Sequence, residues 1–223
     1  MTILDCTVGY GRHAEMVLEA SAPGTKLIGV DRDAQALEFC RQRLVRFGRQ
    51  VMLLHGNHRD LKRHLAAAGI SQVDGVIFDL GVSSPQLEDP ARGFSFQHGG
   101  PLDMRMDQSG GVTAAELVNT LPEGELADII FHYGEERYAR RIARAIVRER
   151  ARQPIETTGA LVAVIAASVP AVYRHGRIHY ATRTSQALRI AVNRELESLE
   201  PSLHDAVDAL ASGGRICVVS FHS

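Results

Sequence analysis

Short unbroken apolar runs alternate with amphipathic stretches over residues 3–81. The runs are ILDCTV, KLIGVD, VMLLHG and DGVIFDL, and residues 12–20, 33–47 and 59–68 between them have helical spacing. Strands that are apolar throughout are typical of a parallel sheet that helices cover on both faces. The pattern therefore predicts an α/β domain built on a parallel sheet.

This alternation stops at residue 81. Residues 81–112 are rich in Gly, Pro, Ser and Asp and have no hydrophobic period, and loops of this length are usually functional. Two stretches after the loop, TAAE at 113–116 and TLPE at 120–123, match the capping box, in which a threonine caps the helix amides and a glutamate reaches back. They predict two helix starts.

The rest of the chain predicts helices and then a return to the sheet. Helical spacing over about 135–152 and over 157–168 is followed by a second loop, PAVYRHGRIHYATRT. SQALRIAVNRELESLEPSLHDAVDAL predicts two further helices, and GGRICVVSF predicts a strand. We therefore expect an α/β domain formed by residues 1–87 and 180–223, with a mainly helical domain inserted at 88–179.

Composition narrows the class of protein. The chain has 223 residues, 45% of them hydrophobic, and a formal net charge of −1, so a nucleic-acid partner would need a local basic surface. No apolar stretch approaches membrane-spanning length, and the first residues do not form a signal peptide. Three cysteines and ten scattered histidines lack metal-ligand spacing. We expect a soluble cytoplasmic protein without a metal.

A glycine turn follows the first predicted strand, in DCTVGYGRHA. Gly9, Gly11 and Ala14 match the fingerprint G-x-G-x-x-A, and Asp31 ends the next strand twenty residues after Gly11, where an acid binds ribose hydroxyls in nucleotide-binding folds. This pattern predicts an adenosyl cofactor without separating a nicotinamide from S-adenosylmethionine. Asp5 favours S-adenosylmethionine, since a carboxylate attracts a cationic amino acid and repels a pyrophosphate. An NAD(P)-dependent oxidoreductase remains the alternative.

One long stretch resembles a known family. DLGVSSPQLEDPARGFSFQHGGPLDMRMD, together with TVGYGRH, GVDRDAQAL, YGEERYARRIARAIVRER and ATRTSQALRIAVNRELESLE, is similar to the RsmH (MraW) family of small-subunit ribosomal RNA cytosine-N4 methyltransferases. The resemblance covers essentially the whole chain. It implies a class I, Rossmann-like, S-adenosylmethionine-dependent methyltransferase with an inserted helical substrate-recognition domain. It also implies methyl transfer to N4 of a cytidine in the decoding centre.

The resemblance also implies the residues that bind the cofactor. Together with Asp5 and Gly9 of the glycine turn, the expected cofactor-binding residues are Gly11, Arg12, His13, Asp31, His58, Asp79 and Gln86. This chain departs from the family where Arg12 replaces a glycine, His58 replaces an aromatic residue, Tyr180 replaces a proline and Ser185 replaces a phenylalanine. Arg12, and the expectation that family segments at both ends are missing, leave a truncated, non-catalytic RNA-binding relative as another alternative.

The chemistry points to two candidate catalytic carboxylates. The exocyclic amine of cytosine is a weak nucleophile because its lone pair is conjugated with the ring, so the protein has to align the reactants and accept the amine hydrogens. Asp79 follows the fourth apolar run and Asp103 lies in the loop after it. We expect one of the two to be the acceptor.

Arginines form the predicted RNA surface. Arg137, Arg141, Arg144 and Arg148 are spaced i, i+4, i+7 and i+11, which places them on one face of the predicted helix. Such a stripe is either solvated or bound to phosphates, and the family resemblance favours phosphates, with Arg183 extending the surface. The expected partner is small-subunit ribosomal RNA or the assembled small subunit. The sequence leaves the oligomeric state open, a homodimer included.

Overall fold

The computed structural model describes residues 1–97 and 99–220. The chain divides into two compact units. Residues Met1–Ser83 and Leu196–Ser223 form the first, which we call the sheet unit, and residues Ser84–Glu195 form the second, the helical unit. The end of the last predicted strand, at Phe221, lies outside the described residues.

The sheet unit contains a parallel sheet. In the described part of the chain the sheet has five strands in the order β3-β2-β1-β4-β5, and every neighbouring pair is parallel. The strands are β1 (Thr2–Asp5), β2 (Lys26–Asp31), β3 (Val51–His55), β4 (Val73–Leu80) and β5 (Leu210–Ser220). The α/β fold with a parallel sheet is thus confirmed.

Helices connect the strands and build the second unit. They are α1 (Arg12–Ala20), α2 (Ala34–Arg43), α3 (Leu61–Ala67), α4 (Ser84–Glu88), α5 (Ala114–Thr120), α6 (Glu123–Gly134), α7 (Ala139–Arg150), α8 (Thr158–Ser168), α9 (Ala171–Arg174), α10 (Thr182–Asn193) and α11 (Glu195–Ala209). Short 3₁₀ turns lie at Val45–Gln50, His58–Asp60 and Pro90–Arg92. None of the helices within residues 1–97 and 99–220 combines the length and apolar character needed to cross a bilayer.

Apolar side chains cover both faces of the central strands of the sheet. On one face Phe78 and Ile28 pack with Leu61 of α3 and Ala206 of α11. On the other face Leu27 packs with side chains of α1 and α2. Because consecutive side chains of a strand point to opposite faces, a strand that is covered on both has to be apolar throughout. This requirement produces the unbroken apolar runs of the sequence.

The helical unit has a core of its own. α6 packs against α7 and α10, and α7 packs against α8. Its fully buried side chains include Leu126, Ile130, Ile142, Ile146 and Leu188. Since α10 packs on α6 and α5, residues 180–195 belong to the helical unit. The sequence had assigned 180–223 to the sheet domain and placed the insertion at 88–179, so the observed units differ from those limits at both boundaries.

One of the two predicted capping boxes forms. At Thr113 the hydroxyl accepts the Glu116 amide hydrogen at 3.1 Å, and the Glu116 carboxylate accepts the Thr113 amide hydrogen at 2.7 Å. The box predicted at Thr120 was wrong. Thr120 is the last residue of α5 and donates its hydroxyl to the Glu116 carbonyl instead, so Pro122 precedes α6 without a side-chain cap.

Candidate functional site

Three carboxylates lie at one edge of the sheet. Asp5 ends β1, Asp31 ends β2, and Asp79 is the second-last residue of β4. In a parallel sheet these carboxyl ends share an edge, and ligands bind where the strand order reverses direction. With the order β3-β2-β1-β4-β5, this switch point falls between β1 and β4, where Asp5 and Asp79 end their strands.

The glycine turn between β1 and α1 is tightly packed. Gly11 precedes α1 with φ of 80°, and a Cβ atom on it would lie 2.7 Å from Cys40 Sγ. Only glycine tolerates both conditions. The Gly9 amide donates to Asp31 Oδ2 at 2.7 Å, and the Asp33 amide donates to Asp31 Oδ1 at 2.8 Å. Backbone amides therefore fix the Asp31 carboxylate against the turn, while burial raises its pKa.

Asp5 is a buried acid. Its side chain is only 1% exposed, and the Thr7 amide donates to Oδ1 at 3.1 Å. Burial raises the pKa of Asp5 to about 7 and outweighs the lowering effect of the Thr7 amide, and the neighbouring Asp31 and Asp79 add smaller increases. A carboxyl group with this pKa gains by ionising next to a cation. The site thus has the electrostatics to receive a positively charged ligand.

Asp79 has an acceptor atom that the protein leaves unused. Its amide donates to Thr7 Oγ1 at 2.7 Å, and its Oδ2 atom lies 3.4 Å from His13 Nδ1. The Oδ1 atom is buried and has no hydrogen-bond partner among the described residues. Because an unsatisfied buried acceptor is costly, this atom marks the place where a ligand donor would be accepted.

His58 and Arg12 are the two departures from the family in this part of the chain. The His58 ring lies edge-on to Phe78, with ring centroids 5.8 Å apart, and Nδ1 lies 2.6 Å from Ser202 Oγ. Burial lowers the pKa of His58 to about 4, with Arg32 contributing, so the ring is neutral at pH 7. Arg12 is the first residue of α1, and its side chain is exposed.

The helical unit carries the other predicted carboxylate and Gln86. Asp103 accepts two hydrogen bonds from the Arg105 guanidinium, at 2.9 and 2.8 Å, and a third from the Arg105 amide at 2.9 Å. Burial alone would raise the pKa of Asp103, but these hydrogen bonds outweigh it and the pKa is lowered. Both oxygens are therefore already occupied. Gln86 lies in α4 and is buried.

The predicted arginine stripe is interrupted at its start. α6 ends where Glu135 adopts a left-handed conformation with φ of 51°, and α7 begins only at Ala139, so Arg137 precedes the helix. The helix predicted over about 135–152 forms as α7, but it begins four residues later for this reason and ends at Arg150. Arg141, Arg144 and Arg148 are exposed on α7, where Arg144 lies 3.5 Å from Glu123, and Arg183 is half-buried on α10.

Some residues of the site had no individual signal in the sequence. Thr7 holds the Asp79 backbone and Ser202 holds His58, and they lie 72 and 144 residues from these partners. The position of Thr7, between Asp5 and the glycines of the predicted turn, is a sequence signal that could have identified it as a residue of the site. Within the described chain no group of three or more His, Cys, Asp or Glu residues is arranged to hold a metal ion.

The parallel sheet, its glycine turn and the acids that end its strands define the class: an α/β domain of the kind that binds a nucleoside-containing cofactor. The particular family follows from comparison. The MraW methylase family matches residues 1–223, and the chain belongs to this family. The resemblance found in the sequence is confirmed, and with it the α/β fold and the use of S-adenosylmethionine.

Relatives with curated names are similar over nearly the whole chain. The ribosomal RNA small subunit methyltransferase H of Pelobacter propionicus is 56% identical over 221 residues, which are 99% of this chain and 71% of that protein. The protein of the same name from Citrifermentans bemidjiense is 54% identical over 220 residues, 99% of this chain and 70% of that protein. The roles predicted for individual site residues stay predictions.

Proposed function

We propose that this protein transfers a methyl group from S-adenosylmethionine to N4 of a cytidine in the decoding centre of small-subunit ribosomal RNA. Membership of the methylase family and the shared name of the relatives support the reaction and the RNA. An NAD(P)-dependent oxidoreductase is not favoured, because the chain belongs to a methylase family. The place of action is then the cytoplasm, where ribosomal RNA is processed.

The residues of the glycine turn suit the cofactor. S-adenosylmethionine, when bound, supplies a methyl group already activated on a sulfonium. Gly11 allows the turn to adopt φ of 80° and to pack closely on Cys40 of α2. Asp31, with its carboxylate held by two amides, would accept the ribose hydroxyls. Asp5 would ionise and stabilise the cationic amino-acid part, and His58 would face the adenine.

The observation that carries the proposed chemistry is the unused Oδ1 atom of Asp79. An oxygen that accepts a hydrogen of the exocyclic amine would orient the nitrogen lone pair toward the methyl group. After transfer the same oxygen would take the proton that the nitrogen sheds. Asp103 is the poorer candidate, because Arg105 occupies both of its oxygens and lowers its pKa.

The arginines of the helical unit suit the RNA partner. Arg141, Arg144 and Arg148 leave their guanidinium groups exposed on one helix, and exposed guanidinium groups bind phosphates independently of sequence. The target cytidine would have to leave its stack to reach a sheet-edge pocket. We further propose that the substrate is small-subunit RNA or the assembled subunit. Sedimentation would test whether the protein acts as a homodimer.

Methyl transfer tests the proposal directly. Small subunits lacking the modification are incubated with protein and with S-adenosylmethionine that carries a labelled methyl group. We expect transfer by the wild-type protein and loss of at least a hundredfold in rate for Asp79→Ala, the scale of one lost hydrogen-bonding or proton-accepting group. Asp74→Ala is the matched control, because Asp74 is exposed at the opposite end of the same strand.

Each outcome of the assay assigns a function. Retained transfer by Asp79→Ala would remove Asp79 from the mechanism. Binding of small-subunit RNA without any transfer by the wild-type protein would identify a non-catalytic RNA-binding relative. Titration with NAD and with S-adenosylmethionine separates the remaining alternative, since binding of NAD alone would identify an oxidoreductase.

A further inference from the structure

Three aromatic rings form one stack on the helical unit. The Phe96 and His179 ring centroids lie 4.5 Å apart with an interplanar angle of 15°, and those of His179 and Tyr180 lie 4.1 Å apart with an angle of 29°. His179 is exposed, and Phe96 and Tyr180 are half-buried. None of the three rings is part of the buried core. Core packing therefore does not account for the stack.

Backbone contacts near His179 and near the loop that contains Phe96 help to position these rings. The Ala181 amide donates to His179 Nδ1 at 3.3 Å, so this nitrogen carries no proton and Nε2 carries it. The loop with Phe96 follows Gly93, where a Cβ atom would lie 2.2 Å from the Pro101 carbonyl oxygen. This close packing holds the backbone at the start of the loop. Rings that already stack on one another need less ordering when a ligand binds.

Arginines lie near the stack in the sequence. Residues 170–189 contain four arginines and neither Asp nor Glu, and one of the four, Arg189, is paired with Glu195. In the same stretch the Tyr173 ring lies 4.9 Å from the Arg137 guanidinium carbon. The Tyr173 hydroxyl donates to the buried Glu136 carboxylate, which anchors this ring. Partly exposed stacked rings with arginines nearby in the chain are complementary to a single-stranded polyanion whose units carry flat aromatic groups.

We propose that Phe96, His179 and Tyr180 form a stacking platform for an unpaired base of the RNA. The proposal rests on RNA being the substrate. A flat base extends the ring stack, the Nε2–H of His179 donates to the base or its phosphate, and the neighbouring arginines bind the flanking phosphates. Tyr180 stands where the family has a proline, so this chain has one more ring to offer.

Binding of RNA without cofactor tests the platform separately from catalysis. Fluorescence anisotropy of a labelled single-stranded oligoribonucleotide with the decoding-centre sequence gives Kd for the full chain. Tyr180→Ala should raise Kd about tenfold, the scale of one lost base–aromatic contact. Tyr180→Phe should bind like the wild type. Phe131→Ala is the matched control, because Phe131 is an exposed ring on α6 of the same unit, and its Kd should not change.

Abasic sites in the RNA test the platform with the wild-type protein, so a folding defect of a protein variant does not affect the result. Replacing single nucleotides by abasic sites should weaken wild-type binding about tenfold at one position and leave Tyr180→Ala unaffected there. The proposal is overturned if no single abasic site matters to the wild-type protein, or if Tyr180→Ala binds unchanged. Equal binding of double-stranded RNA would also overturn it. Stacking without methyl transfer would instead contradict only the proposed catalysis.

Discussion

Ionisation of Asp5 should couple cofactor binding to pH. In the free protein burial raises the pKa of Asp5 to about 7, so the group is largely protonated at pH 5.5. A cationic ligand beside it favours the carboxylate, so the pKa falls on binding and a proton is released. Below pH 7 the cost of ionising Asp5 therefore reduces the free energy of binding, and the affinity for the ligand falls as the pH is lowered.

The size of the effect follows from the pKa. With a pKa of about 7 in the free protein and full ionisation in the complex, the association constant at pH 5.5 is about 16-fold smaller than at pH 7. This difference corresponds to about 1.6 kcal/mol. Replacing the acid by an amide of nearly the same shape removes the titration. Asp5→Asn should therefore bind more weakly at pH 7 and change less than about twofold over the same range.

Calorimetric titration with S-adenosylmethionine at pH 5.5, 6, 6.5 and 7 measures the effect. Titrations in two buffers of different ionisation enthalpy give the number of protons released. A wild-type affinity that is flat with pH, or Asp5→Asn with the same slope as the wild type, would refute the reasoning. A matched stability measurement supports the assignment: without cofactor at pH 8, Asp5→Asn should melt at a higher temperature, because it no longer buries a charge.

Three more predictions follow from the site. Gly11→Ala places a side chain at a position with φ of 80° and against Cys40 Sγ. Thermal melts should show that the free energy of unfolding falls by about 1–2 kcal/mol or more. Unchanged melting and cofactor affinity would contradict the packing argument. Thr7→Val leaves the Asp79 amide without its acceptor, so denaturant titration should show a loss of about 1–3 kcal/mol, and Thr7→Ser should restore most of it. His58 has a pKa of about 4 in the folded protein, below its usual 6.5, so its contribution to stability is present above pH 6.5 and is lost as the pH falls toward 4. The loss in the free energy of unfolding is about 3 kcal/mol. His58→Gln should flatten this part of the plot of stability against pH, and an unchanged slope would show that His58 is not its source.

Three of the first four strands could be located from the sequence almost residue by residue, whereas ILDCTV extends three residues beyond the end of β1 at Asp5. KLIGVD coincides with β2, and VMLLHG and DGVIFDL differ from β3 and β4 by a residue or two. A strand that is covered on both faces needs a local run of apolar residues, and a local run is visible without any tertiary information. The acids at the strand ends were visible for the same reason, since they interrupt those runs.

Other features of the site depend on tertiary contacts, which no local sequence pattern predicts. The pairing of His58 with Ser202 joins residues 144 positions apart, and no local pattern encodes it. Arg137 matches the helical spacing of the stripe, but the left-handed Glu135 interrupts the backbone just before it. Asp103 and Asp79 look equivalent as carboxylates in the sequence, and they are separated by the contact of Asp103 with Arg105 and by the unpartnered Oδ1 atom of Asp79.

The pairing of β5 with β4 has a consequence for synthesis on the ribosome. Phe78 pairs with Val218, so the two partners are 218 − 78 = 140 residues apart, whereas the helical unit is one continuous stretch of chain. Contacts this distant form late, because the loop between them has to close first. During translation one edge of β4 therefore remains unpaired until β5 is synthesised, while the helical unit can already fold. An unpaired strand edge favours misassembly of the nascent chain during this interval.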